Sequence, residues 1–213
     1  MGIISKGILG PVSGTVGPVT GSSWKGKNYI RSKPAGKRKN KSEKQIAQQI
    51  RFAMVGRFIR GMMAFIDIGF KSFALNMTAF NAAFSYNLKN VITGQVPLLA
   101  IDYSRALVSR GDLPNVIAPA VALTAGGILH FTWTNNAGIG NTADEDNSML
   151  IAYCPVMGMS VFNINGPARS QGEASLNVAL LSGDEVEVYL AFRNAKGKEV
   201  SNSIYLGSIE VTM

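Results

Sequence analysis

Thiols and imidazoles are almost missing from this chain of 213 residues: it has one cysteine, Cys154, and one histidine, His130. A single thiol excludes an intrachain disulfide, the usual staple of small secreted domains. One His and one Cys leave a zinc site short of soft ligands, and no nucleophile motif accompanies His130 to build a catalytic triad. The glycines of GPVSGTVGPVTG are not followed by Lys-Ser/Thr at a strand-to-helix junction, so they do not form a phosphate loop. Asp144, Glu145 and Asp146 lie in an oxygen-rich loop but lack the alternating spacing and the later bidentate Glu of a calcium loop. The sequence therefore predicts a non-enzyme, with no catalytic residues, no cofactor, no metal and no small-molecule substrate.

Long uncharged runs are missing too. The most apolar stretch, Phe52 to Leu75, is interrupted by Arg57, Arg60, Asp67 and Lys71, which excludes a membrane-spanning helix and favours an amphipathic one. The opening MGIISKGILG lacks the continuous apolar core of a Sec signal and carries Lys6 where myristoylation wants Ser or Thr. The expectation is a chain made in the cytoplasm and open to incorporation into a larger assembly.

Acids are scarce at one end. The first 60 residues hold thirteen Lys/Arg and only Glu43, a charge of +12; the remaining 153 hold eight bases and twelve acids, a charge of −4. Such asymmetry predicts attraction to an anionic partner and places the contact near the N-terminus.

Residues 1–41 read as a basic, glycine-rich extended or β arm with an internal echo, GPVSG and then GPVTG. In SWKGKNYIRSKP, period-two alternation puts Lys25, Lys27, Tyr29, Arg31 and Lys33 on one strand face, with Trp24, Gly26, Asn28 and Ile30 on the other. Lys37, Arg38 and Lys39 follow in a turn-like cluster. Together with Trp24 and Arg51 these residues form the candidate contact surface. Cations beside two aromatic rings suit either an acidic protein face or phosphates and stacked bases of DNA or RNA.

Residues 42–95 read as a helical hairpin. Ser42 and Gln45 have capping-box spacing, and Ile46, Ile50, Met54, Phe58, Met62, Phe65 or Ile66, and Phe70 form one stripe. Glycines 56, 61 and 69 predict close packing, or a break near Gly69. A second helix fits Thr78 to Val91; Asn81, Asn87 and Asn90 are unusual occupants, serving solvent, caps or a neighbouring backbone edge. A connector covers 96–113. From 114 to 213, short alternations predict strands at 117–123, 128–134, 149–154, 160–164, 174–180, 185–194 and 203–212. Leu129, Phe131 and Trp133, with Val186, Val188, Leu190 and Phe192, are the expected inner faces. The fold class is thus α+β, ending in an immunoglobulin-like β-sandwich.

SGDEVEVYLAFRNAKGKEVSNS resembles the penultimate hairpin of fibronectin type III domains, through Phe192, Asn194, Gly197 and Ser201. Phe192 replaces a usually small residue, and the tyrosine of that family is absent from its place, with Asp184 nearby. The resemblance implies architecture alone. SGTVGPVTGSSWKGKNYIRSKP, continuing through MTAFNAAFSYN and DYSRALVSRG, is similar to an uncharacterised family of Bacteroidota genomes with a Ser-Gly-x-Val-Gly…Ser-Trp-Lys-Gly…Arg-Ser start, which implies no activity. Two functions stay open. One is a structural or assembly subunit of a phage particle or phage-derived assembly, a homo-oligomer or a docking partner of an acidic surface. The other is a non-specific nucleic-acid binder with the sandwich as an interaction module.

Overall fold

The computed structural model describes residues 3–8, 10–24, 26–33 and 41–212, with backbone alone over 4–8. The chain forms two compact units, Met1–Glu43 and Lys44–Met213.

In the first unit, four strands, β1 (Ile3–Ile8), β2 (Val12–Val16), β3 (Val19–Trp24) and β4 (Lys27–Ser32), pair antiparallel in chain order. The two GPV segments lead into β2 and β3. Gly17 takes a left-handed φ of +56° in the β2–β3 turn, a conformation that glycine reaches without a Cβ clash. A side chain at Gly21 would run into the backbone of Val12, so β2 and β3 close up there. Gly21 is the one buried position among the described side-chain positions of the sheet, and all six residues of β4 are exposed.

The second unit is α+β. Three helices open it, rather than the two of the expected hairpin: α1 (Glu43–Arg60), α2 (Met63–Gly69) and, after a 3-10 turn at Lys71–Phe73, α3 (Ala79–Asn90). The apolar stripe breaks at Gly61 as well as ending at Gly69. A Cβ at Gly61 would stand 2.6 Å from the Gly158 carbonyl oxygen and 2.7 Å from the Tyr153 ring. This close approach is sealed by Ser160 Oγ, which donates to the Gly61 carbonyl at 2.7 Å. Thr78 caps α3 by accepting from the Asn81 N–H. Asn87 is buried within α3 and meets a neighbouring backbone edge: its Nδ2 donates to the Ala83 and Leu107 carbonyls, and its Oδ1 accepts from the Leu107 N–H.

A two-residue pairing of β5 (Ile92–Thr93) with β6 (Ala100–Ile101) and a 3-10 turn at Tyr103–Arg105 lead into seven strands. These are β7 (Ile117–Thr124), β8 (Ile128–Thr134), β9 (Asn147–Cys154), β10 (Met159–Asn163), β11 (Glu173–Asn177), β12 (Glu185–Arg193) and β13 (Ile204–Glu210). They form one sheet of order β10-β9-β12-β13 and another of order β11-β8-β7. The inner faces meet as expected: Leu129, Phe131 and Trp133 pack with Val186, Val188, Leu190 and Phe192. The two antiparallel sheets thus pack face to face as a β-sandwich.

The four-stranded sheet also buries its outer face. Met149, Ile151, Tyr153, Tyr189 and Ala191 join Val55, Phe58, Phe65 and Phe70 of the helical segment in a second core. Phe58 sits edge-on to Tyr153 with ring centres 5.1 Å apart. The unit therefore has three layers: helices, a sheet buried on both faces, and a second sheet.

Candidate functional site

The charge follows the units. Residues 1–43 carry nine Lys/Arg and one acid, +8, whereas 44–213 carry twelve of each and balance. The whole formal excess of the chain thus belongs to the four-stranded sheet and the segment that follows it.

Within that sheet, the alternation expected across SWKGKNYIRSKP does not run through one strand. Trp24 registers opposite Lys27, Ser22 opposite Tyr29 and Thr20 opposite Arg31. The chain reverses between Trp24 and Lys27, where Gly26 has φ +78°, so a hairpin turn interrupts the expected strand. Directly opposed residues of an antiparallel pair share a face. Trp24 therefore lies on the same face as Lys27, Tyr29 and Arg31, not opposite them. Gly21 and Ile30 oppose each other on the other face. Trp24 and Tyr29 are each about half exposed, and Lys27, Arg31 and Lys33 are exposed. Lys33 continues past the end of β4, with its N–H donating to the Pro18 carbonyl at 2.6 Å.

The structure brings together Trp24, Lys27, Tyr29 and Arg31. Lys25, Lys37, Arg38 and Lys39 lie outside the described residues. Arg51 belongs to α1 in the other unit; it is half-buried, and its Nε is without a partner among the described residues. The first turns of α1 also expose apolar side chains. Ile46 and Ile50, the beginning of the predicted core stripe, are 44% and 38% exposed, whereas Val55, Phe58 and Ile59 farther along are buried.

The other residues weighed for chemistry have structural partners. His130 stands on the outer face of β8, its Nε2 3.3 Å from a carboxylate oxygen of Glu173. Cys154 is buried at the end of β9, its sulfur accepting from the Met157 N–H. Asp144 accepts from Asn135 Nδ2 at 2.8 Å. Asp146 turns inward to pair with Arg169, both essentially fully buried, at 3.2 Å. Arg169 also donates to Asn136 Oδ1 and the Pro114 carbonyl and lies 4.5 Å over the Phe192 ring. Burial lowers the Arg169 pKa, and the neighbouring Asp146 carboxylate opposes that shift. Sequence reasoning missed Arg169, because a lone arginine between loop residues has no periodicity to mark it as interior.

A tyrosine cluster was missed as well. Tyr189 hydroxyl donates to the Tyr103 carbonyl at 2.9 Å, and Tyr205 hydroxyl donates to Glu187 at 2.7 Å. Burial pushes the Glu187 carboxyl up, against the pull of the Tyr205 hydrogen bond, and pushes Tyr103 up to about 12. Tyr153, Tyr189 and Tyr205 are also raised, chiefly by burial. Among the described residues no helix is long and apolar enough to cross a membrane, and no cluster of three or more His, Cys, Asp or Glu side chains could hold a metal.

A family model spans residues 11–207, from the residue before β2 to the last strand of the sandwich. The chain belongs to DUF6266, a family of unknown function. The match takes in the basic-aromatic hairpin together with the three-layered unit. No curated protein matches the chain. Among solved structures, the fibronectin type III domain of human collagen α-1(XX) chain is similar over 47% of this chain and 90% of its own, at 16% identity and a TM-score of 0.30.

Proposed function

We propose that this protein is a non-enzymatic structural or assembly subunit that docks through its basic N-terminal sheet. The observation that carries the reading is the open sheet of the first unit. Four short strands present Trp24, Lys27, Tyr29 and Arg31 on one face and leave every residue of β4 exposed. An isolated small sheet is marginal in water, and burying a face against a partner is what stabilises it. β4 is an edge strand, so its free backbone groups can also pair with a strand of another chain. The occupant is a second copy or another subunit with an acidic face. A phage particle or phage-derived assembly is the proposed setting, on the sequence grounds of a sandwich body joined to an extended basic arm without catalytic residues.

Light scattering coupled to size-exclusion chromatography of the full chain tests this at rising concentration. Self-association that weakens in a Lys27→Glu, Arg31→Glu double variant supports the reading. A strict monomer for both forms sinks docking between copies, and capture of an acidic partner that ignores the two substitutions sinks docking through this face.

A second reading has its own support: aromatic rings flanked by cations on one open face are the chemistry of single-strand binding. A salt titration of oligonucleotide affinity decides it. Contact with several phosphates gives a steep negative slope of log affinity against log salt, which the same double variant makes shallower. A flat response removes this reading.

A further inference from the structure

The surface of the second unit holds a pocket of about 270 Å³ between the 3-10 turn at Lys71–Phe73, α3 and the segment around Arg110. Phe73, Met77, Ala82 and Tyr86 contribute apolar wall, and Lys89 and Arg110 bring two positive charges to it. The Arg110 guanidinium carbon lies 4.4 Å from the centre of the Phe73 ring and 5.2 Å from that of Tyr86. The backbone behind it is fixed, since the Arg110 N–H donates to the Gly69 carbonyl at 2.8 Å. Neither Lys89 nor Arg110 is paired with a carboxylate among the described residues. No acid lines the pocket.

We propose that this pocket binds a small organic anion, with its carboxylate or phosphate on Arg110 and Lys89 and its apolar body against Met77 and Ala82. A guanidinium stacked on aromatic faces is held in orientation while its in-plane N–H groups stay available for a planar, two-point contact with an oxyanion. Stacking on two rings also limits the entropy lost when a ligand arrives. The lysine adds a mobile second charge at the rim. The volume suits a ligand of one ring or a short chain, below the usual range for drug-sized molecules. This inference concerns the second unit and stands apart from docking by the basic sheet.

The competing account is structural: Lys89 offsets the carbonyl end of α3, and Arg110 holds Phe73 against Tyr86. Fluorine NMR of the full chain with 4-fluorobenzoate, 4-fluorophenyl phosphate and neutral 4-fluorobenzamide separates the two. The expected result is saturable broadening of one or both anions at millimolar concentration, at least about fivefold weaker or absent for the amide. Lys89→Gln should weaken anion binding about threefold, and Arg110→Gln about tenfold or more, in keeping with the strength of charge-assisted hydrogen bonds. The relative affinity of carboxylate and phosphate tells which anion the site prefers. Equal binding of the amide, no saturable broadening by either anion, or anion binding unchanged in Lys89→Gln overturns the proposal. Lys89 is exposed, so that variant provides the test even if Arg110→Gln does not fold.

Discussion

Two antiparallel sheets in this molecule have similar sequence texture and opposite fates. β12 alternates Val186, Val188, Leu190 and Phe192 with Glu187, Tyr189 and Ala191, and both sets are buried. β4 alternates Lys27, Tyr29 and Arg31 with Asn28, Ile30 and Ser32, and both sets end in solvent. Alternation thus specifies which residues share a face, but not whether anything covers it. The difference lies in what surrounds each strand. β12 is central, with β9 and β13 on its flanks and helices above, whereas β4 is an edge.

The largest predicted contrast removes a buried charge. Arg169→Ala or Asp146→Ala strands the other member of a fully buried pair, and should cost about 3–5 kcal/mol in denaturant unfolding. Arg31→Ala, in the exposed sheet, should stay within about 0.5 kcal/mol. A change at Arg31 as large as that at Arg169 would mean that the first sheet has a core of its own and would break the comparison.

Glycines give a smaller contrast. Gly61→Val forces a side chain against the Gly158 backbone and the Tyr153 ring, and should lose about 1–3 kcal/mol. Gly26→Val meets no atom within 4 Å but must hold φ +78°, a strain of about 1 kcal/mol or more confined to the hairpin. Melting of the three-layered unit should register the first substitution and not the second.

Alkaline pH should act on the three-layered unit through its tyrosines. Unfolded tyrosines ionise near pH 10, whereas folded Tyr103 holds its proton to about 12. Across that window the folded state binds more protons, so stability falls as pH rises. Thermal melts from pH 9 upward check this, with Tyr103→Phe flattening the fall. Glu187 has the same sign at lower pH: burial raises its pKa, so the charged form weakens the fold and protonation relieves that cost as pH falls. Glu187→Gln should therefore leave neutral-pH stability unchanged or slightly higher.

The smallest effect on stability is expected at Trp24. Trp24→Ala should leave the melt of the three-layered unit unaltered, within about 0.5 kcal/mol, while reducing self-association measured by light scattering. If association persists without the ring but fails without Lys27 and Arg31, charge rather than packing selects the partner.

Much of the sandwich was legible because its strands obey period two on the side that faces the second sheet. All seven appear close to their expected positions, and the inner residues are as read. The outer face of the four-stranded sheet was not legible. Met149 to Cys154 is apolar at every position, and such a run fits a strand covered on both sides as well as one covered on one. The placement of Trp24 failed for a different reason: between Trp24 and Lys27 the alternation continues in sequence while the chain reverses in space. In α1, Ile46 and Ile50 obey the helical period but stand beyond the layer that buries Phe58. For the candidate surface, residue types were readable from sequence, and their shared face required the register.

The doubly buried sheet also limits how this protein can be rearranged. Here, excising residues 114–213 would bare Met149, Ile151, Tyr153, Tyr189 and Ala191 as an oily wall, and the helices would lose the surface that gives their own stripe a purpose. The sandwich and the helical layer are therefore one unit of inheritance, free to diverge in their loops but bound to change together along the wall they share.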